Sequence, residues 1–378
     1  MNFYKENDYI LELTDNEIKL LLNLAQQIIV SPSQNPEIFC KQSQILSNEL
    51  PTNIKNKLTD FAINGTPTGF LLIKTIPIDN ETLHDTPSSN NDKIGETTIL
   101  ARIQSILIGA IAELVSYEAE GYGRLFQDII PMKSMSNKQT SVSSNVELEI
   151  HTEQAFSKLR PDILSLACLR GDVRAFTHIL PIQTIIDNVS NEDLQLLNQP
   201  LWNCGVDLSF KINGNEFIDG DIRGPFSIIT PSVKNNETNS LFFTDKSPTK
   251  RNYEDDLRPK FLSCRCNQKN TQNENNGEIH KDNTLLFDQD LMTGITEKAD
   301  NMIKKIVDIY YKKRLSHNLK QGEIILVDNR RAVHGRSPFI PSYDGKDRFL
   351  IRCFATFDFE KSKYARTNNN RNILAIYS

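Results

Sequence analysis

The sequence has no run approaching the roughly 20 apolar residues that a membrane-spanning helix needs. Its opening, Met1-Asn2-Phe3-Tyr4-Lys5-Glu6, carries charge where a secretory leader is apolar. A soluble, cytoplasmic protein with no membrane partner is therefore expected. Basic residues are not in excess either: 43 Lys and Arg stand against 48 Asp and Glu, a formal net charge of -5. Without a cationic field to collect phosphates, nucleic acid is not an expected partner. Cysteine is sparse, six in 378 residues, too thin for a disulfide-stapled fold, and reduced thiols are expected. Cys264-Arg265-Cys266 lacks the spacing and companions of a zinc knuckle. Internal repeats are absent.

What is there is an ordinary globular composition, 38% hydrophobic and 24% charged, whose pattern changes along the chain. Residues 15–30 place Ile18, Leu21, Leu22, Ala25 and Ile29 at helical spacing behind Thr14 or Asp15 as a cap. A second apolar stripe predicts a helix over 97–118, and the polar stretch 82–95 between them reads as a loop. Beyond Gly121, short runs rich in Val, Ile, Leu and Phe at 124–131, 142–151, 163–170 and 173–179 read as strands, followed by others at 208–212, 227–229, 240–244, 285–287, 323–328 and 349–358. A helix over 297–314 interrupts them. Residues 234–282 are dominated by Asn, Lys, Asp, Glu and Thr, with little to bury, and predict a mobile excursion. Helices followed by many short strands point to an α+β protein with a jelly-roll core.

The chemistry is concentrated around Glu149-Ile150-His151-Thr152-Glu153. On a strand, residues two apart project from one face, so His151 and Glu153 can reach one ion. Such a His-x-carboxylate pair supplies two ligands of the facial triad of non-haem Fe(II) oxygenases, and a distant His completes it. His334, in Asn329-Arg330-Arg331-Ala332-Val333-His334-Gly335-Arg336, is the candidate. Three protein ligands leave positions open for a bidentate 2-oxo acid and dioxygen.

Taken together, His151-Thr152-Glu153-Gln154-Ala155-Phe156, Arg160-Pro161-Asp162, Cys168-Leu169-Arg170 and the run from Asp328 to Phe339 resemble the clavaminate synthase-like Fe(II)/2-oxoglutarate-dependent oxygenases, in particular their free amino acid hydroxylases. The resemblance covers about 124–358. It implies a double-stranded β-helix core at 121–358 with a mainly helical part at 1–120, one oxygenase domain over 1–378, and a lid in 234–282. It also implies Fe(II) held by His151, Glu153 and His334, with 2-oxoglutarate and O2 as co-substrates. By the same resemblance Arg348 and Thr177 hold 2-oxoglutarate. A guanidinium fork matches a carboxylate; the plainer readings are an ion pair of Arg348 with Asp347 and a Thr chosen for strand propensity. His178, on the opposite face from Thr177, reads as structural.

For the substrate, the resemblance assigns Arg352 to an amino acid carboxylate, Glu120 and Ser141 to the α-amino end, and Asp288 and Asp290 to a cationic side-chain terminus. Two Asp residues one apart share a side if extended; the alternative is capping ahead of the helix at Glu297. The expected activity is hydroxylation of an unactivated side-chain carbon of a free basic amino acid. L-lysine is favoured, in the manner of lysine 4-hydroxylases. L-arginine or asparagine 3-hydroxylation is the alternative, and a non-catalytic jelly-roll binding protein a further one. A homodimer is a possible assembly.

Overall fold

Ile163–Arg170 is apolar at nearly every position, the composition of a strand covered on both faces. A computed structural model, describing residues 4–74, 76–207, 210, 221–231, 283–367 and 370–377, places it so. It lies inside an eight-stranded sheet, antiparallel to Ile324–Asp328 on one side and Phe349–Thr356 on the other. Alternation along these strands assigns the two faces. Ile163, Ala167, Ile324, Leu326, Ile351 and Cys353 turn outward and share a core with Leu21, Leu24, Phe39, Ile54, Leu58, Ile103 and Leu107 of the helices Asp15–Gln26, Pro36–Ser47, Thr52–Asn64 and Ile99–Gly109. Leu164, Leu166, Ile325, Val327, Leu350 and Phe354 turn inward to a second core.

Across that inner core stands a four-stranded sheet in the order Leu315–His317, Thr177–Pro181, Ala332–Arg336, Leu148–His151. Its outer face is covered by the helix Glu297–Lys313, whose Tyr310 ring meets His178 edge-on at 6.2 Å. The close fit needs glycine at one point: a Cβ on Gly335 would lie 2.6 Å from Leu148 O and 3.1 Å from Tyr310 Oη. Two facing sheets with helices on the outside form the jelly roll, and the site sits between them.

The helix at residue 15 is present as Asp15–Gln26, with Thr14 and Glu17 forming a reciprocal capping box. The single helix predicted over 97–118 is not: the helix ends at Gly109, and Glu113–Tyr117 is a strand paired with Phe349–Thr356. Sheet pairing overrides the continuous apolar stripe there. Likewise only Leu148–His151 of the run 142–151 is a strand. The helical reading of 1–120 omits two strands: Ile10–Glu12 runs parallel to Phe70–Lys74, which joins the large sheet beside Ile324–Asp328. The predicted strand 240–244, almost all of 208–212, the pair Cys264 and Cys266, and the lid 234–282 lie outside the described residues. The four described cysteines, Cys40, Cys168, Cys204 and Cys353, are buried and free.

Candidate metal centre

His151 ends its strand and stands directly opposite His334 on the neighbouring antiparallel strand, with ring centroids 4.5 Å apart. Glu153 follows two residues later, beyond the strand's end. Its backbone is clamped by buried Asn329, whose Oδ1 accepts from Glu153 N at 2.7 Å and whose Nδ2 donates to Glu153 O at 3.2 Å and Pro161 O at 2.8 Å. The intervening Thr152 points the other way, its N–H donating to Phe287 O at 2.7 Å. As a result Glu153 Oε1 lies 3.2 Å from His334 Nε2 and 3.9 Å from His151 Nε2. Ligand atoms of the three residues all lie within 4.8 Å of one another, the one such group among the described residues.

The donor set fits a divalent cation. His151 Nδ1 is 2.8 Å from Glu149 O, which keeps the ring proton there and leaves the Nε2 lone pair facing Glu153. Burial alone would raise the Glu153 carboxyl, but Arg352, then His334 and His151, outweigh it and hold the pKa at about 2. His334 is depressed by burial first, then by His151 and Arg352. An anionic carboxylate and a neutral imidazole are the forms that donate lone pairs to ferrous iron.

The triad opens onto a cavity of about 420 Å³ that the remaining site residues also line. Arg348 is 5% exposed and pairs with no carboxylate among the described residues. Asp347, its alternative partner by sequence, instead accepts from Ser342 N and Tyr343 N at 2.6 Å each. Burial lowers the Arg348 guanidinium to about 10, with Cys168 and Asp172 opposing. Thr177 lies on the strand beside His334, in register with Arg336. His178 turns outward, its Nδ1 2.8 Å from Ser316 Oγ, as its structural reading requires.

Arg352 faces the cavity from the large sheet, held in an ion pair with Glu120 and within 3.7 Å of Glu153 Oε1. Burial raises the Glu120 carboxyl, with Arg352 opposing. Ser141 lines the same wall. Asp288 and Asp290 also reach the cavity, but not as an extended pair. Asp288 forms a bridge with His151, and its Oδ1 accepts from Asp290 N at 3.0 Å and Leu291 N at 2.7 Å, so the segment is a turn that Asp288 itself braces. Asp carboxylates close such turns more readily than they stay in extended chain. The helix at Glu297 is capped by Thr296 instead.

Sequence reasoning passed over four residues of the site. Glu149 lines the cavity two residues before His151, and the alternation that paired His151 with Glu153 assigns it too. Gln127 accepts from Arg352 Nε at 3.0 Å, and Gln154, at a left-handed φ of 53°, donates to Glu120 at 2.9 Å. Arg336 shares the cavity-facing side of its strand with His334. For the two glutamines the sequence carries no signal, because their partners arrive from distant strands.

Residues 241–354 match the family model described as Taurine catabolism dioxygenase TauD, TfdA family. Over 369 residues the chain is 36% identical to the L-lysine 3-hydroxylase of Catenulispora acidiphila, covering 98% of this chain and 90% of that protein. It is 24% identical over 338–341 residues' worth of alignment to clavaminate synthase 2 of Streptomyces clavuligerus, covering 89% of each. A solved asparagine oxygenase in complex with Fe(II), 2S,3S-3-hydroxyasparagine and succinate superposes with a TM-score of 0.77 at 22% identity, covering 97% of this chain and 99% of that one, which carries the likeness of fold. With identity of 36% sustained over nearly its whole length, this chain belongs to the TauD/TfdA family, among the clavaminate synthase-like Fe(II)- and 2-oxoglutarate-dependent dioxygenases.

Proposed function

We propose that His151, Glu153 and His334 hold Fe(II), and that the enzyme hydroxylates a side-chain carbon of free L-lysine. The observation that carries the reading is the convergence of the triad, with a buried Arg348 lacking a protein carboxylate, on one cavity. When bound, iron with 2-oxoglutarate and dioxygen supplies the oxidant that replaces C–H by C–OH, leaving succinate and carbon dioxide. The chain's own residues supply position. Arg348 and Thr177 take the distal carboxylate of the co-substrate.

Arg352 and Glu120, paired with each other in this structure, match the two charges of an α-amino acid. A zwitterion exchanges with that pair: its carboxylate goes to Arg352 and its ammonium to Glu120, with Ser141 nearby. A free amino acid has both charges, whereas a peptide-bound or carrier-bound one lacks at least one of them. At the far end Glu149, Asp288 and Asp290 gather three carboxylates. Their mutual repulsion, together with burial, raises Glu149. An ammonium presents three diverging donors and suits several separate carboxylates, while a guanidinium prefers one planar fork. That favours lysine over arginine, and the 36%-identical relative bears a lysine hydroxylase's name. The same name favours C3 over C4 as the carbon attacked.

Three further proposals attach to this reading: residues 1–378 form one oxygenase domain, 234–282 serve as its lid, and the protein works in the cytoplasm. Supplying lysine, arginine, ornithine and asparagine separately, with Fe(II) and 2-oxoglutarate in air, tests the substrate. Lysine should give the highest kcat/KM and gain one oxygen; preference for arginine would replace lysine, and turnover with none would favour a binding protein.

A further inference from the structure

We infer that Arg336 is a second cation of the co-substrate pocket, gripping the distal carboxylate of 2-oxoglutarate together with Arg348 and selecting a five-carbon diacid over simpler 2-oxo acids. The inference rests on the proposed iron and 2-oxoglutarate reading and adds a residue to it.

Arg336 is 4% exposed, and only one of its three nitrogens is satisfied: Nη2 donates to Ser143 Oγ at 2.9 Å and to Val146 O at 3.4 Å. Nε and Nη1 have no acceptor. Arg348 approaches from the opposite sheet. The Phe339 ring centroid lies 5.0 Å from the Arg336 guanidinium carbon and 5.9 Å from that of Arg348, so the two cations flank one side chain. Neither makes an ion pair among the described residues, and Asp172, the acid nearest in influence to Arg348, is engaged by Arg174 at 2.7 Å. Two buried like charges without a counter-ion repel each other and forfeit hydration. Packing does not require this, since a methionine would fill similar volume. An anion with two oxygens, one for each guanidinium, removes the repulsion and meets the empty donors.

The distance along the strand fits the ligand. His334 and Arg336 are two residues apart on one face, which at about 3.3 Å per residue is about 7 Å. A diacid held by its oxo and first carboxylate groups at the triad has its second carboxylate within that reach. Thr177, in register with Arg336 on the adjacent strand, completes the wall.

The test is anaerobic calorimetric titration of the Fe(II)-loaded protein with 2-oxoglutarate and, separately, with 2-oxobutyrate, which keeps the chelating end and lacks the distal carboxylate. Wild type should prefer 2-oxoglutarate. Arg336→Met should weaken 2-oxoglutarate binding roughly 10- to 100-fold, the size of a lost charge-assisted contact, leave 2-oxobutyrate unchanged, and melt without ligand at or above the wild-type temperature. Arg336→Lys, which keeps charge and loses the fork, should fall between and carries the test if the methionine variant does not fold. A variant that keeps the full preference, or that weakens both acids equally and melts lower, makes Arg336 structural and overturns the inference. No preference in the wild type overturns the co-substrate reading itself, and this one with it.

Discussion

Glu149 shows how one spacing rule serves two purposes. The same two-residue alternation brings His151 and Glu153 to one ion and turns Glu149 toward the cavity. Replacing Glu149 with Gln removes a charge without removing volume, and it should raise KM for lysine roughly 10-fold while leaving KM for 2-oxoglutarate unchanged; steady-state kinetics with each varied in turn separates the two. Asn329 acts differently. It touches no open coordination position and holds the backbone on both sides of Glu153. Asn329→Ala should weaken iron binding by about 10- to 100-fold, as losses of ligand-orienting contacts do, with the far-ultraviolet spectrum unchanged. Metal titration of the apoprotein measures it. Asp328, Arg330 and Arg331 of the same motif do not line the cavity: Asp328 accepts from both arginines at 2.9 Å and locks the turn between strands. Motif membership alone does not separate these residues from His334.

Among elements, the strands that carry the site were the most legible. Ile163–Arg170 and Phe349–Thr356 are long, apolar and bounded by turn residues, and their alternation places Arg352 inward without any structure. Glu113–Tyr117 was not legible, because it continues the apolar stripe of the preceding helix and only its pairing with Phe349–Thr356 makes it a strand. The helices Pro36–Ser47 and Thr52–Asn64 were hidden by polar residues between their buried positions. The turn at Asp288 was misread as extended chain because an Asp-x-Asp spacing fits both.

One junction of elements titrates. Asp128, on the strand Gln127–Ile129, accepts from Ile94 N at 3.0 Å and Gly95 N at 2.9 Å, and burial raises it to about 6. A carboxyl whose pKa is higher folded than unfolded favours folding when protonated. Its contribution is full below about 4 and lost as pH rises through about 6. Asp128→Asn should therefore flatten the stability profile between those values, which urea melts at a series of pH values would show.

At the scale of the molecule, two sheets hold one functional centre, and the helices on the outside fix the sheets. Iron ligands come from neighbouring strands of the smaller sheet and from the segment just beyond one of them, while Arg348 and Arg352 come from the larger. A ligand bound between the sheets therefore ties them together. Removing metal with a chelator should lower the melting temperature, and restoring Fe(II) anaerobically at about 100 times its Kd should recover roughly 2.7 kcal/mol. A melting temperature indifferent to metal would place the triad outside the folded core. The overall jelly roll and the triad were readable because strand alternation and ligand spacing are local. Partners from distant strands, Gln127 with Arg352 and Gln154 with Glu120, became visible only when the sheets were brought together.

The central claim, iron-dependent oxygen transfer to lysine, is tested most directly by incubating the enzyme with Fe(II), 2-oxoglutarate and L-lysine under ¹⁸O2 and weighing both products. One heavy oxygen in hydroxylysine and one in an equal amount of succinate is the predicted result, with neither product from His334→Ala. Unchanged lysine, or hydroxylysine formed equally well by His334→Ala, would contradict it.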